Sequence, residues 1–540
     1  MNRWPILFVL VGLVAAGLAY DRAVEMPLGG TTVATEQVIV SPSLTDPPRL
    51  DGAWYCPVGS SELGGFADHQ VNISNLSDEQ AVANISLVTE DGPGPGRRIV
   101  LAPKSTERVK LSETLSAQLA GAVVEITGGR GVVGHSVSTA QGIAEGPCAT
   151  GASSTWYFAA GRTTRDSTQY LALMNPFPET AVFDVEFQAV GRSREPGPLQ
   201  GAFVEARSVR IIEVGDFVSR EEDLATKITT NRGRLVVERL QLLNGELGPS
   251  GAALQLGVPT PAPSWIFTAG RIHESGDDLL TIFNPYESTA DDPSASAEGE
   301  REGFLTVAVN LWPSNPTDLS SYSVVTIERE VRPGTFVTID LRAQAERFEF
   351  PLPYELGVNV TSIEGLPIVA ERWQFSERLQ VDSLSAGIGT VAPDPAEEEP
   401  AEGEEPAEGD EPLELQPPEP VDSGLPQPIP NKGISTSRGN ELFSTSWVVP
   451  WVTMEGDSTL IAVASIEEAA VEVEVLSGGE FTGPFRATVP KGGRAIIPVT
   501  SVEGGGAVRV VSNTPISVEA VVVLPDRSLD VVPAVPTVDG

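Results

Sequence analysis

The segments TWYFAAGR (Thr155–Arg162) and SWIFTAGR (Ser264–Arg271) constrain the chain more than any other feature. A Trp-x-Phe-x-Ala-Gly-Arg word spelled twice, 109 residues apart, marks either a duplicated binding site or a duplicated domain. The residues that follow favour the domain. After Trp156 comes YLALMNPFPETAVFDVEF, and after Trp265 comes DLLTIFNPYESTADD. Each is an apolar alternating run closed by Asn-Pro-aromatic, at Asn175-Pro176-Phe177 and Asn284-Pro285-Tyr286. The same order follows Trp54, with Asn75 and Leu76, and follows Trp447, with Ser465 in the Asn place. Four copies are therefore expected.

Within each copy the next elements also agree. FDVEF, FLTVAVNLW and VEVEV at Val471–Val475 alternate with period two, which predicts half-buried antiparallel strands. Pro103, Pro333 and Pro490 each sit between two apolar runs, where proline starts a turn. Each copy then closes with a glycine and two more strand-like runs, from Gly121, Gly233, Gly357 and Gly506. Six to eight short strands per ~100 residues predict an all-β chain of tandem immunoglobulin-like antiparallel β-sandwich domains. Trp54, Trp156, Trp265 and Trp447 are expected as core plugs, and the Gly-Arg ends of the two words as turns with exposed arginines.

Two segments break the rhythm. MNRWPILFVLVGLVAAGLAYDR (1–22) has one Arg before an apolar run and reads as a hydrophobic helix, either a signal peptide or a retained membrane anchor. Both readings place the bulk of the chain outside the cytoplasmic membrane. The second segment, 392–430, holds eleven prolines, thirteen acids and no base. It reads as a disordered acidic tether, able to span up to ~120 Å if polyproline II-like. The expected domains are 23–50 as linker or leading strand, then sandwiches at 51–152, 153–262, 263–391 and 431–540.

Composition narrows function. Lys+Arg is 35 against Asp+Glu 74, a net −39, which argues against nucleic acid and leaves the N-terminal segment as the membrane contact. Cys56 and Cys148, the sole cysteines, predict a disulfide in an oxidising compartment, with two unrelated buried thiols as the alternative. The three histidines, His69, His135 and His273, form no visible cluster, and no catalytic, metal or cofactor motif stands out. Tyr157, Phe177, Tyr286 and Trp312 are the candidates for sugar stacking if the chain is a carbohydrate-binding array.

The N-terminal segment, the AWYCPVG run at Ala53–Gly59, the repeated W-x-F-x-AGR openings and closing strands such as GLPIVAERWQF resemble an uncharacterised family of actinobacterial envelope proteins, defined by a domain of unknown function. The resemblance implies a non-enzymatic, membrane-tethered accessory protein of envelope polysaccharide assembly, with envelope proteins or polysaccharide as partners. A carbohydrate-binding or adhesin-like surface protein is the alternative reading.

Overall fold

A computed structural model describes residues 52–62, 64–272, 275–286, 304–314, 323–350, 354–377, 379, 433–441, 443–452, 459–499, 505–523 and 529–536. Residues 1–22, expected as a hydrophobic helix, and the body of the acidic segment lie outside these residues, as do His273 and residues 287–303. The described chain is nearly all-β, with one short α-helix at Leu341–Arg347, and every paired strand is antiparallel, apart from one isolated bridge.

In the first domain the strands are Gly52–Cys56, Asp68–Asn75, Ala81–Thr89, Gly92–Leu101, Ser105–Lys110, Ala120–Thr127, Gly131–Ser138 and Ile143–Pro147. Numbered one to eight, they form two sheets, ordered 1-6-3-4 and 5-2-7-8. Inward side chains of both sheets share one core, including Trp54, Val71, Ile85 and Val124. That makes the unit a sandwich. The alternation places these apolar residues inward, as in the third strand, where Ala81, Ala83 and Ile85 are buried between half-exposed neighbours.

The second and third domains repeat this order, with the fourth strand of the second split in two. The fourth domain repeats it in a different guise. Gly506–Val523 is one continuous strand whose first part pairs as a sixth strand and whose second part pairs as a seventh. Asn513-Thr514-Pro515 marks the crossing between sheets. In each sandwich the second strand pairs with the fifth and the third with the sixth, while the first lies beside the sixth and the seventh beside the second.

Two expectations need correction. The third domain does not end at residue 391. Its eighth strand is Ile434–Ser437, paired with Val369–Phe375 so that Phe375 faces Ile434. The acidic segment thus leaves and re-enters one antiparallel ladder. It is an insertion in a hairpin of the third domain and cannot separate that domain from the fourth, whose first strand begins at Ser444. Nor is the fourth sandwich held apart from the other three on a tether. The eighth strands, Ile143–Pro147, Ser250–Leu256, Ile434–Ser437 and Leu529–Pro533, lie each against the next, and the last returns to the first. The four domains form a closed ring.

Each domain is also closed on itself in one way. The residue after each Trp bridges to a residue beyond the eighth strand: Tyr55 to Ala149, Tyr157 to Val258, Ile266 to Asn440 and Val448 to Val535. One position before each bridge, and one after, the chains meet again. In the first domain Cys56 and Cys148 occupy these places and form a disulfide, S–S 2.06 Å. The second domain has Phe158 and Gly257 there, and the third has Phe267 and Gly439. A Cβ on Gly257 would lie 3.0 Å from Phe158 Cζ, and one on Gly439 would lie 3.0 Å from Phe267 Cε1. A phenyl ring seated on a glycine replaces the covalent link.

Candidate functional site

The recurrent words of the sequence meet at the joints of the ring. Ladder register aligns the seventh strands so that Glu238, Glu371 and Glu519 share one position, and Gly134 holds it in the first domain. His135, Arg239, Arg372 and Ala520 share the next position. Each of the three glutamates reaches back to the domain before it and accepts the backbone N–H four residues after that domain's Trp.

Glu238 accepts from Val58 N at 3.3 Å. Glu371 accepts from Ala160 N at 2.5 Å. Glu519 accepts from Ala269 N at 2.7 Å and from Thr268 N at 2.6 Å, and Ser437 Oγ donates to its other oxygen. All three carboxylates are buried, so each replaces lost hydration with charge-assisted hydrogen bonds. At the second joint the Ala of the W-x-F-x-A-G-R word is therefore half of an inter-domain latch, and the V-x-E-R word of the next domain is the other half.

The arginine beside Glu238 completes the second joint. Arg239 is fully buried between the rings of Phe158 and Trp373, at 5.3 and 4.9 Å, and pairs with Glu371 at 2.9 Å. It also donates to Ala160 O. Burial pushes the Glu371 carboxyl above the ordinary range, against the lowering pull of Arg239. Arg372 donates to Ala269 O at 2.8 Å and pairs with Asp278 of its own domain. A Cβ on Gly270 would sit 2.3 Å from its guanidinium, so this glycine is needed for the arginine to reach the carbonyl. At the third joint Arg494 of the fourth domain pairs with Glu355 at 3.0 Å.

The first joint uses histidines. Ala120 O can only accept, so His69 Nδ1, 2.9 Å away, carries a proton. Burial and the neighbouring His135 lower the His69 pKa to about 3, so its Nε2 is a lone pair. His135 Nδ1 then donates to it at 3.0 Å. The other ring nitrogen, His135 Nε2, lies 2.9 Å from Glu238 Oε1.

The predicted markers are structural. Trp54, Trp156, Trp265 and Trp447 are all buried, and the last three donate Nε1–H to Leu235, Ile368 and Ile516 carbonyls at 2.8–2.9 Å. Trp54 Nε1 has no partner among the described residues. Asn175 and Asn284, fully buried, clamp the loop after the second strand by accepting from Phe177 N and Tyr286 N. Arg162, expected in the solvent, is buried and donates to Thr164 Oγ1 at 2.9 Å.

The four candidate aromatics are not brought together. Half-buried Tyr157 packs on the third domain's core, Phe177 lies under Arg234 in the second, and Tyr286 packs on the third domain's own core. Trp312 is half-buried beside Gly357. Among the described residues no group of three or more His, Cys, Asp or Glu could hold a metal. No described helix is long and apolar enough to cross a membrane.

Sequence signals for the latch existed in VVERLQ and IVAERWQ, but their partners lie 180 and 211 residues away along the chain.

A family described as "Family of unknown function (DUF5719)" matches residues 136–292. The match runs from the first domain's seventh strand into the third domain, across the first two joints. No curated protein matches the chain. Among solved structures, similarity is reported to a Streptomyces avermitilis α-L-rhamnosidase at 8% identity and TM-score 0.12, covering 61% of this chain and 45% of that one. A tetra-tandem repeat from the extending region of a large adhesion protein matches at 10% identity and TM-score 0.10, over 89% and 98%. A glycoside hydrolase family 32 protein from Bifidobacterium adolescentis matches at 9% and 0.13, over 89% and 99%.

Proposed function

We propose that the protein is a non-enzymatic, extracytoplasmic scaffold, held at the membrane by residues 1–22 and built from four immunoglobulin-related sandwiches. Its role on this reading is in cell-envelope polysaccharide assembly, with envelope proteins or polysaccharide as partners. One observation carries it: the polar words that recur in the sequence are consumed by joints between domains. Glu238, Glu371 and Glu519 each hold the preceding domain's backbone. Groups spent in this way make a rigid platform. The Cys56–Cys148 disulfide supports an oxidising compartment.

The test is protease shaving of intact cells, coupled to in-cell cross-linking and mass spectrometry. The reading expects the full chain in the membrane fraction, cleavable from outside, with envelope-assembly proteins or polysaccharide cross-linked to it. Protection of the chain inside intact cells would overturn the location, and cross-links to cytoplasmic proteins alone would overturn the scaffold.

A further inference from the structure

The fourth joint, between the last domain and the first, has no glutamate latch, because Gly134 stands in that place. It is held by Asp530 Oδ2 accepting from Glu145 N at 2.6 Å, and by Val448, Leu476 and Ala507 entering the first domain's core. It also contains a cavity of about 180 Å³. On one side are Lys104 to Thr106 and Arg108, around the first domain's fifth strand. On the other are Ser477, Gly478 and Gly479, the hairpin turn between the fourth domain's third and fourth strands.

The first joint supplies an internal comparison. There too a cavity, about 450 Å³, lies between a third–fourth hairpin turn and the next domain's fifth strand. Its lining includes Glu90, Glu205, Phe203 and Arg210. Where that turn carries Glu90-Asp91, the seam carries Gly478-Gly479. Where that strand offers Val209, Arg210 and Ile211, the seam offers Thr106 and Arg108. Among the described residues the seam cavity is lined by two cations, Lys104 and Arg108, and by no carboxylate, in a chain with twice as many acids as bases.

We propose that the seam cavity binds a tetrahedral oxyanion, phosphate or sulfate, either free or as the terminal ester of a sugar, and that this ligand fastens the fourth domain to the first. Lys104 Nζ already touches the exposed Asp78 at 2.6 Å, and an ammonium has three protons, so two remain for a ligand. Gly478 and Gly479 have φ of 62° and 91°, the left-handed turn whose successive amides form an anion-binding concavity. At ~30 Å³ per water, the cavity holds an oxyanion with some of its hydration. This site does not depend on the scaffold reading.

The test is titration of the full chain with sodium sulfate, sodium phosphate and a hexose 1-phosphate, by calorimetry and thermal unfolding, at constant ionic strength set with chloride. A saturable rise in Tm with at least one of them, absent with chloride, is expected. Lys104→Gln with Arg108→Gln should weaken binding at least tenfold. Ser477→Asp, which adds a carboxylate to the cavity on an intact turn, should abolish it. Arg210→Ala, in the comparison cavity, should leave it unchanged. A preference for the sugar phosphate assigns a glycan source, and equal binding of inorganic phosphate assigns a free ion. Chloride acting as well as sulfate, or undiminished binding by folded Ser477→Asp, would overturn the proposal.

Discussion

Replacing Glu371 with alanine isolates the latch in its most complete form. The carboxylate accepts from Ala160 N at 2.5 Å and pairs with Arg239 at 2.9 Å, and both partners are buried. Removing it leaves a guanidinium without its counter-charge, stacked between two rings, and an amide without an acceptor. Breaking a buried pair on one side costs about 3–5 kcal/mol for the uncompensated charge, and an orphaned buried amide costs about 1–3 kcal/mol besides. Replacing both partners by apolar residues of similar volume removes the unpaired charge, so Glu371→Leu with Arg239→Met should lie within about 2 kcal/mol of the parent. Urea unfolding of the full chain, followed by tryptophan fluorescence, measures all three. Hydrogen exchange at the Ala160 segment should rise in the single variant. A loss below about 1 kcal/mol in Glu371→Ala, or a double variant as unstable as that single one, would refute the account of the joint.

Three further outcomes follow from named contacts. Cys56→Ala with Cys148→Ala should lose about 4–5 kcal/mol on the chain-entropy view of a 92-residue separation, and Cys56→Phe with Cys148→Gly should recover part of it, as thermal unfolding would show. Trp156→Phe, which loses the bond to Leu235 O, should cost about 1 kcal/mol more than Trp54→Phe, whose indole N–H has no described acceptor. His69 is held neutral in the fold with a pKa of about 3, below the unfolded value near 6.5. Its stabilisation is therefore full above pH 6.5 and is lost as pH falls towards 3, by about 1.4 kcal/mol per unit. Asp223, raised to about 6 by burial, acts in the opposite sense over pH 4 to 6. The comparison that isolates His69 is the smaller acid-side slope expected for His69→Gln against the parent.

The strands and the repeat were legible because they are local: alternation shows in FDVEF and VEVEV, and each Trp stands about 20 residues before its Asn or Ser. The disulfide was legible because two cysteines permit a single pairing. The ring was not. Ala160 and Glu371 are 211 residues apart, and nothing near either residue says that they touch. The acidic segment misled for a physical reason: composition reports that a segment cannot form a core, but not where its ends are fixed. Those ends are set by Phe375 facing Ile434. Arg162 misled similarly, since its burial depends on Thr164 and Asp166 closing a polar network around it.

Ring closure is tested most directly by cysteines at Ser105 and Ser477, which line one cavity from the first and the fourth domain. A short bis-maleimide added to the dilute full chain should link them within one molecule, at a rate independent of protein concentration. Failure to link, or linking only between molecules, would show the fourth domain apart from the first and contradict the ring.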